Sequence, residues 1–354
     1  MVSALRINYK PKPPTMNTKN LLQLGVIILI LSACSPTSKN CPEEPPLVPQ
    51  FLAQIHLKDD ATAEGARKDN GAEELIQIIG LAVDDAFSGS LITYDATLEG
   101  YKNLVVLSPD EFEEKMIRVD TAYMENPEPP YDLKMVNIRD TFKGRHLASI
   151  RLFESWRLSE SFILEKTVSH YMPVRQNVDP LTGMLRSWNP LFIVNSVEPS
   201  GEPISVAHIQ YTQPVVKKDG DYPYQWYREN LETSIREKFF DRLLSSMKSG
   251  ALTCYENPEA LNPVSHELIE SALLISDTML NVNPDLSMDL QMEVMEMELD
   301  WHDVNAIEFV QEVKYFENGA ITIDVKSYRP IMGIPDLLTG DVTDLRGLFW
   351  IKNS

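Results

Sequence analysis

Cysteine is nearly absent: 354 residues contain only Cys34, Cys41 and Cys254, which excludes a disulfide framework as the basis of the fold. Bases are also scarce, 32 against 52 acids, for a net charge of −20. That balance repels phosphate backbones and anionic lipid headgroups, so no nucleic-acid partner is expected. The six histidines, His56, His146, His170, His208, His266 and His302, include no H-E-x-x-H arrangement and no pair at zinc-site spacing. There is no P-loop, no G-x-G-x-x-G and no G-x-S-x-G elbow. Asn281-Val282-Asn283-Pro284-Asp285 starts like a calcium loop, but Leu286 stands at the sixth position and Met292 at the twelfth, where glycine and glutamate are needed. No catalytic residue, metal or cofactor is therefore assigned.

The apolar run Leu21 to Leu31 is too short to span a bilayer, which takes about twenty residues. Its length suits a signal-peptide core instead, behind the basic start Met16-Asn17-Thr18-Lys19. Leu31-Ser32-Ala33-Cys34 then resembles the lipobox of bacterial lipoproteins: a branched residue, two small residues and a cysteine whose thiol takes the lipid. The expectation is a signal region over 1–33, with 1–15 reflecting an upstream start choice, and lipidation at Cys34. No acid follows Cys34; Ser35 stands there, which favours an outer-membrane anchor facing the periplasm. Removing 1–33 takes away Arg6, Lys10, Lys12 and Lys19 but no acid, so the lipid must carry the membrane binding. The Pro-rich Cys41 to Pro49 reads as an extended stalk, placed over 34–70. Cys41 and Cys254 are either an anchor-to-body disulfide or two unpaired thiols.

The strongest internal signal is self-similarity. A shift of 157 residues lays 113–194 on 270–351 without a gap. Asp120-Thr121 then meets Asp277-Thr278, Ile150 meets Ile307, Pro173 meets Pro330, and Leu181-Thr182-Gly183 meets Leu338-Thr339-Gly340. Upstream the register slips by four, and Gly89 to Tyr94 faces Gly250 to Tyr255. The expected organisation is α+β repeat unit 1 over 71–195, a linker over 196–225 holding one strand-like stretch, Ile204 to Thr212, and α+β repeat unit 2 over 226–354. Leu231 to Lys248 places Ile235, Phe239, Leu243 and Leu244 on one helical face. Asn318-Gly319 between two β-rich runs predicts a hairpin, because the favoured turn needs positive φ. Each unit is expected to be α+β with a mainly antiparallel sheet.

Asp300-Trp301-His302-Asp303 pairs carboxylates with an imidazole, but the aligned Lys143-Gly144-Arg145-His146 lacks the acids, so the segment reads as polar surface. Met292, Met295 and Met297, interleaved with glutamates, fit a half-buried strand or an adaptable partner surface. The tryptophans, Trp156 among them, fit core packing or interface anchoring.

Gly89 to Asp95, Ser108 to Glu114, Arg118-Val119-Asp120-Thr121, Ile150 to Phe162 around Trp156, and Pro173 to Phe192 together resemble the GldN/PorN family. The resemblance implies a periplasmic, non-enzymatic component of gliding-motility and type IX secretion machinery, here as a lipidated and duplicated relative. It makes Arg118, Asp120 and Trp156 candidate interaction residues and an envelope protein complex the expected partner. The alternative, from a different class, is a periplasmic hydrolase or glycan-binding lipoprotein with an acidic cleft between the units.

Overall fold

The structure, a computed structural model, describes residues 47–57, 69–96, 104–125, 128–129, 132–142, 147–178, 185–216, 231–282, 290–337 and 339–353. All of them belong to one compact unit, Pro46–Ser354. The fold is α+β, and every strand pairing is antiparallel.

The first half begins with strand β1 (Val48–His56) and helix α1 (Ala72–Phe87). Helix α1 buries Leu75, Ile78, Ile79, Ala82, Val83 and Ala86, the i, i+3, i+4 stripe of an amphipathic helix. It ends at Gly89, whose φ of 75° is the left-handed geometry that closes many helices. Then come β2 (Thr93–Asp95) and helix α2 (Pro109–Met116). Ser108 caps α2 in a full capping box with Glu111. Strands β3 (Ile117–Glu125), β4 (Leu133–Thr141), β5 (Leu147–Leu158), β6 (Leu164–Val178), β7 (Leu185–Pro190) and β8 (Phe192–Asn195) follow. The main sheet runs β1-β5-β6-β8-β2, with β7 also on β6, while β3 and β4 form a separate two-stranded ribbon.

The second half opens with β9 (Pro203–Pro214) and a helical stretch made of α3 (Thr233–Arg236), a π turn (Glu237–Asp241) and α4 (Arg242–Lys248). Helix α5 (His266–Ala272) leads to β10 (Leu274–Val282), β11 (Leu290–Glu298), β12 (Val304–Phe316), β13 (Ile321–Pro335), β14 (Val342–Gly347) and β15 (Ile351–Lys352). Its sheet runs β14-β13-β12-β9, with β15 on β13, and β10 and β11 form a second isolated ribbon. Elements recur at a fixed spacing: α2 and α5, β3 and β10, β4 and β11, β5 and β12, β6 and β13, and β7 and β14 each start 157 residues apart. The irregularities recur as well. The β5–β6 ladder slips between Phe153 and Glu154, and the β12–β13 ladder slips between Val310 and Gln311, the same spacing apart.

Two expectations about domain organisation are corrected. Residues 48–56 of the assigned stalk form β1, paired with β5 from Val48↔Trp156 to His56↔Ser149 and burying Val48, Ala53 and Ile55. Residues 203–214 of the assigned linker form β9, an integral strand against β12. Stalk and strand are both extended backbone; what separates them is a pairing partner about a hundred residues away, which local composition does not encode. The units also do not keep separate cores. One hydrophobic cluster runs from Val48 through Leu75, Trp156, Phe239 and Phe309 to Ile351.

The halves meet through reciprocal bonds. The Tyr171 hydroxyl donates to the Gly319 carbonyl at 3.3 Å, and the Tyr328 hydroxyl donates to the Phe162 carbonyl at 2.7 Å. The Ser196 hydroxyl accepts from the Ile321 amide and donates to its carbonyl, and the Asn353 side chain does the same for Leu164. In each case residue i meets j while the residue 157 after i meets the one 157 before j, the reciprocal pattern found at an isologous interface.

Candidate interaction surface and buried polar centre

Cys34 and Cys41 lie outside the described residues, as does the signal region. Cys254 is a free, buried thiol, and burial pushes it up to about 12. Arg118 and Asp120 stand on β3 opposite Asp140 and Ile138; their side chains lie outside the described part. Trp156 is not a surface anchor. It is fully buried, edge-on to Phe309 at 5.5 Å and tilted against Phe239 at 6.5 Å, so it joins the two halves internally. The candidate residues are thus not brought together. The Asp300–Asp303 segment is a short 3-10 turn in which Asp300 and Asp303 cap each other's backbone ends, and the exposed His302 ring leans on Asp300 at 2.8 Å. This is capping chemistry rather than a catalytic pair.

The ribbons are the most unusual exposed feature. Val119, Leu133 and Met135 on β3–β4 are 62%, 69% and 62% exposed, and Met292 and Val294 on β10–β11 are 73% and 59% exposed. Met135 and Met292 occupy matching positions in their ribbons, opposite Tyr123 and Leu280. Two strands alone are marginal in water, and among the described residues neither ribbon has a third strand to cover its edges. Their charges differ. The strands of the first ribbon hold Arg118, Lys134 and Arg139 against Asp120, Glu125 and Asp140, whereas those of the second hold Asp277, Glu293, Glu296 and Glu298 with no base. Met292 is exposed, whereas Met295 and Met297 are half-buried and Met297 packs against the core, so the strand is in part the half-buried one that the alternation allows.

Between strands β5 and β6 of one main sheet and β9 and β12 of the other lies a polar centre that motif reading missed. Lys166 of β6 and Glu154 of β5 are completely buried and ion-paired at 3.2 Å. The Lys166 ammonium also donates to the Tyr211 hydroxyl at 2.8 Å and to the Gln311 side-chain carbonyl at 3.3 Å, and sits 3.3 Å from the Phe309 ring centre. The Trp156 indole donates to the same Glu154 oxygen at 2.8 Å. Burial draws Lys166 down to about 8, against the opposing pull of Glu154. Two buried atoms of the group, Glu154 Oε1 and Gln311 Nε2, have no hydrogen-bond partner in the protein. A signal was present: period two places Lys166 between Leu164 and Val168, and Glu154 between Leu152 and Trp156, on faces that are otherwise apolar.

Among the described residues, no group of three or more histidine, cysteine or carboxylate side chains is arranged to hold a metal, and no helix is long and apolar enough to cross a membrane. A shallow cleft beside α5 holds Glu267, Glu270 and Glu298, with Glu298 paired to Lys248 at 2.6 Å. Its own backbone amide and the Ser265 hydroxyl hold the Glu267 carboxyl below its ordinary value, the wrong direction for a proton donor. No family model matches the chain, and no curated protein matches it.

Proposed function

We propose that the protein is a non-enzymatic outer-membrane lipoprotein, a tandem duplicate of one α+β unit, that serves as scaffold or adaptor in an envelope complex of the secretion and gliding-motility kind. The observation that carries this reading is the pair of ribbons with apolar residues exposed at matching positions. An apolar patch of this type marks a docking surface when it is concentrated rather than scattered. The acidic second ribbon selects the partner's chemistry: a protein surface with apolar groups flanked by basic side chains. The lipid on Cys34 keeps the body at the membrane, and the recurrence at 157 residues together with the reciprocal bonds supports a fused two-fold pair as its origin. The resemblance to GldN/PorN sequences points to the same kind of assembly. The hydrolase alternative has no comparable support: the surfaces where the halves meet are packed with Trp156, Phe239 and Phe309.

Detergent extracts of cells expressing the full chain test the proposal. The wild type is expected to co-purify with envelope proteins, and Met135→Glu with Met292→Glu to lose them while unfolding at an unchanged urea midpoint, since surface changes move stability by no more than about 0.5 kcal/mol. A clean monomer from wild-type extracts would sink the scaffold reading. In the same extracts a fatty-acid probe should label the wild type but not Cys34→Ala; equal labelling would remove the anchor.

A further inference from the structure

The buried centre sets an amine in contact with both an amide oxygen and a carboxyl group, shielded from water by aromatic rings. Lys166 brings the amine, Gln311 an amide whose oxygen accepts from it at 3.3 Å, and Glu154 a carboxyl ion-paired with the same ammonium at 3.2 Å. Tyr211, Trp156 and Phe309 form the walls, and all of these side chains are buried. An ion pair in such a place is costly to maintain, because two charges have left water and the interior returns only part of that energy. Its hydrogen bonding is also incomplete. The two unpartnered atoms are Glu154 Oε1, the free oxygen of the carboxylate, and Gln311 Nε2, the nitrogen that an attack on the amide would expel.

We propose that Lys166 and Gln311 join in an intramolecular isopeptide bond, formed by the protein itself with Glu154 as the proton carrier. The Lys166 ammonium first passes a proton to Glu154. The neutral amine then adds its lone pair to Gln311 Cδ, and the Nζ–Cδ bond forms. A second proton leaves Nζ and is delivered through Glu154 to Nε2, the Cδ–Nε2 bond breaks, and ammonia departs. Atoms and charge balance with no oxidant or added reactant: an amine and a primary amide become a secondary amide and ammonia.

Three features of the site favour the step. Burial already weakens the hold of Lys166 on its proton, bringing it to about 8, so a usable fraction is the nucleophilic amine. Holding amine and amide together replaces a bimolecular encounter with an intramolecular one, an advantage worth orders of magnitude in effective concentration. The product also removes the buried cation and gives Gln311 a neutral, covalently satisfied side chain. The bond would staple β6 of the first half to β12 of the second, 145 residues away in sequence, at the contact where the two main sheets meet. This proposal is independent of any partner.

Proteolytic digestion of the purified full chain followed by tandem mass spectrometry tests it. Expected in the wild type is a branched peptide in which the segment containing Lys166 is joined to the segment containing Gln311, lighter than the two together by one ammonia, with trypsin blocked at Lys166. If the wild type yields only the two linear peptides and is cut after Lys166, the bond does not exist. Glu154→Gln is expected to abolish the branched peptide in protein that remains soluble and folded; a branched peptide persisting in that variant would overturn the role of Glu154. Lys166→Arg should restore full linear masses, and any branched product there would show the linkage to involve another residue.

Discussion

At the slip in the β5–β6 ladder stands Glu154; at the matching slip between β12 and β13 stands Gln311. One strand farther on, Lys166 in the first half corresponds to Ile323 in the second, and Trp156 corresponds to Val313. The backbone ladder is the same on both sides, while the side chains at its centre are not. The difference is intelligible because these positions face each other across the junction of the halves. Lys166 already reaches Glu154, Tyr211 and Gln311, so a second buried pair at Gln311 and Ile323 would crowd two cations and two anions into one apolar space. At this junction the first half supplies the charged pair and the second the neutral partner.

The largest effect is expected from breaking that asymmetry on one side only. Measured against protein whose Lys166 is still a free amine, Glu154→Gln leaves that cation buried without its counter-ion, a change that typically costs about 3–5 kcal/mol. Glu154→Gln combined with Lys166→Ile gives the first half the residues of the second and should recover most of the loss, since replacing a buried pair by neutral groups is often neutral. Urea midpoints for the two variants decide the matter; a double variant as weak as the single would show that the ion pair is not the source. The pH dependence has a definite sign as long as Lys166 is a free amine. Its folded value of about 8 lies below the ordinary 10.5, so between those values the unfolded chain binds the extra proton and stability rises with pH. The penalty for burying the cation is fully present below about 8 and is relieved as pH climbs. Above about 10, buried tyrosines reverse the slope: burial raises Tyr171, Tyr211, Tyr315 and Tyr328 above their ordinary 10.0, so the fold keeps protons that the unfolded chain releases. Protein whose Lys166 is already an amide should lack the rise and keep the fall.

A smaller contrast lies in the hairpin turns. Phe162 and Gly319 occupy the same place, with φ of 62° and 79°. Left-handed geometry costs a residue with a side chain roughly 1–2 kcal/mol. Phe162 offsets this by packing on the core and lying 4.9 Å from the Arg242 guanidinium. Gly319 has no such room: a Cβ there would lie 2.1 Å from Leu91 Cδ2. Gly319→Ala should thus cost about 1–2 kcal/mol, while Phe162→Gly trades relieved strain against lost packing and should change the urea midpoint less. A Phe162→Gly loss larger than that of Gly319→Ala would show that packing, not φ, governs both turns.

Much of the strand framework was legible, because alternation and the 157-residue register are local patterns read along the chain. Asn318-Gly319 gave the β12–β13 hairpin, and Ile204 to Thr212 fell inside β9. The helix expected over Leu231 to Lys248 appears as 233–248, interrupted by a π turn that periodicity does not report. What could not be read was any feature made by distant pairing. Strand β1 was lost to its Pro-rich neighbourhood. Trp156, for which core packing and interface anchoring both stood open, sits in the core against Phe309 of β12. Lys166 and Glu154 belong to no motif, and their apolar neighbours at period two were the only trace of them in sequence.

The smallest contrast is at the helix caps. Ser108 and Ser265 start matching helices, and both side chains accept a backbone N–H, from Glu111 at 3.3 Å and from Leu268 at 3.4 Å. Ser108 is the more strongly reinforced: the Glu111 carboxylate returns to the Ser108 amide at 2.8 Å and accepts its hydroxyl at 2.7 Å, and Pro109 occupies the first helical position, whereas at Ser265 the carboxylate of Glu267 meets the hydroxyl alone. Those bonds hold the Glu111 carboxyl below its ordinary value, the backbone bond from Ser108 most of all. Capping serines are worth about 1 kcal/mol when replaced by alanine, within a range of roughly 0.5–2. Ser108→Ala also strands Glu111, so it should fall toward the upper part of that range, with Ser265→Ala near the lower end. Urea midpoints at neutral pH should separate the two variants. Acidification should narrow the gap, because protonating Glu111 removes the charge-assisted return bond to the cap amide that Ser265 never had. Equal losses at neutral pH would show that the two halves differ in cap geometry without differing in cap strength.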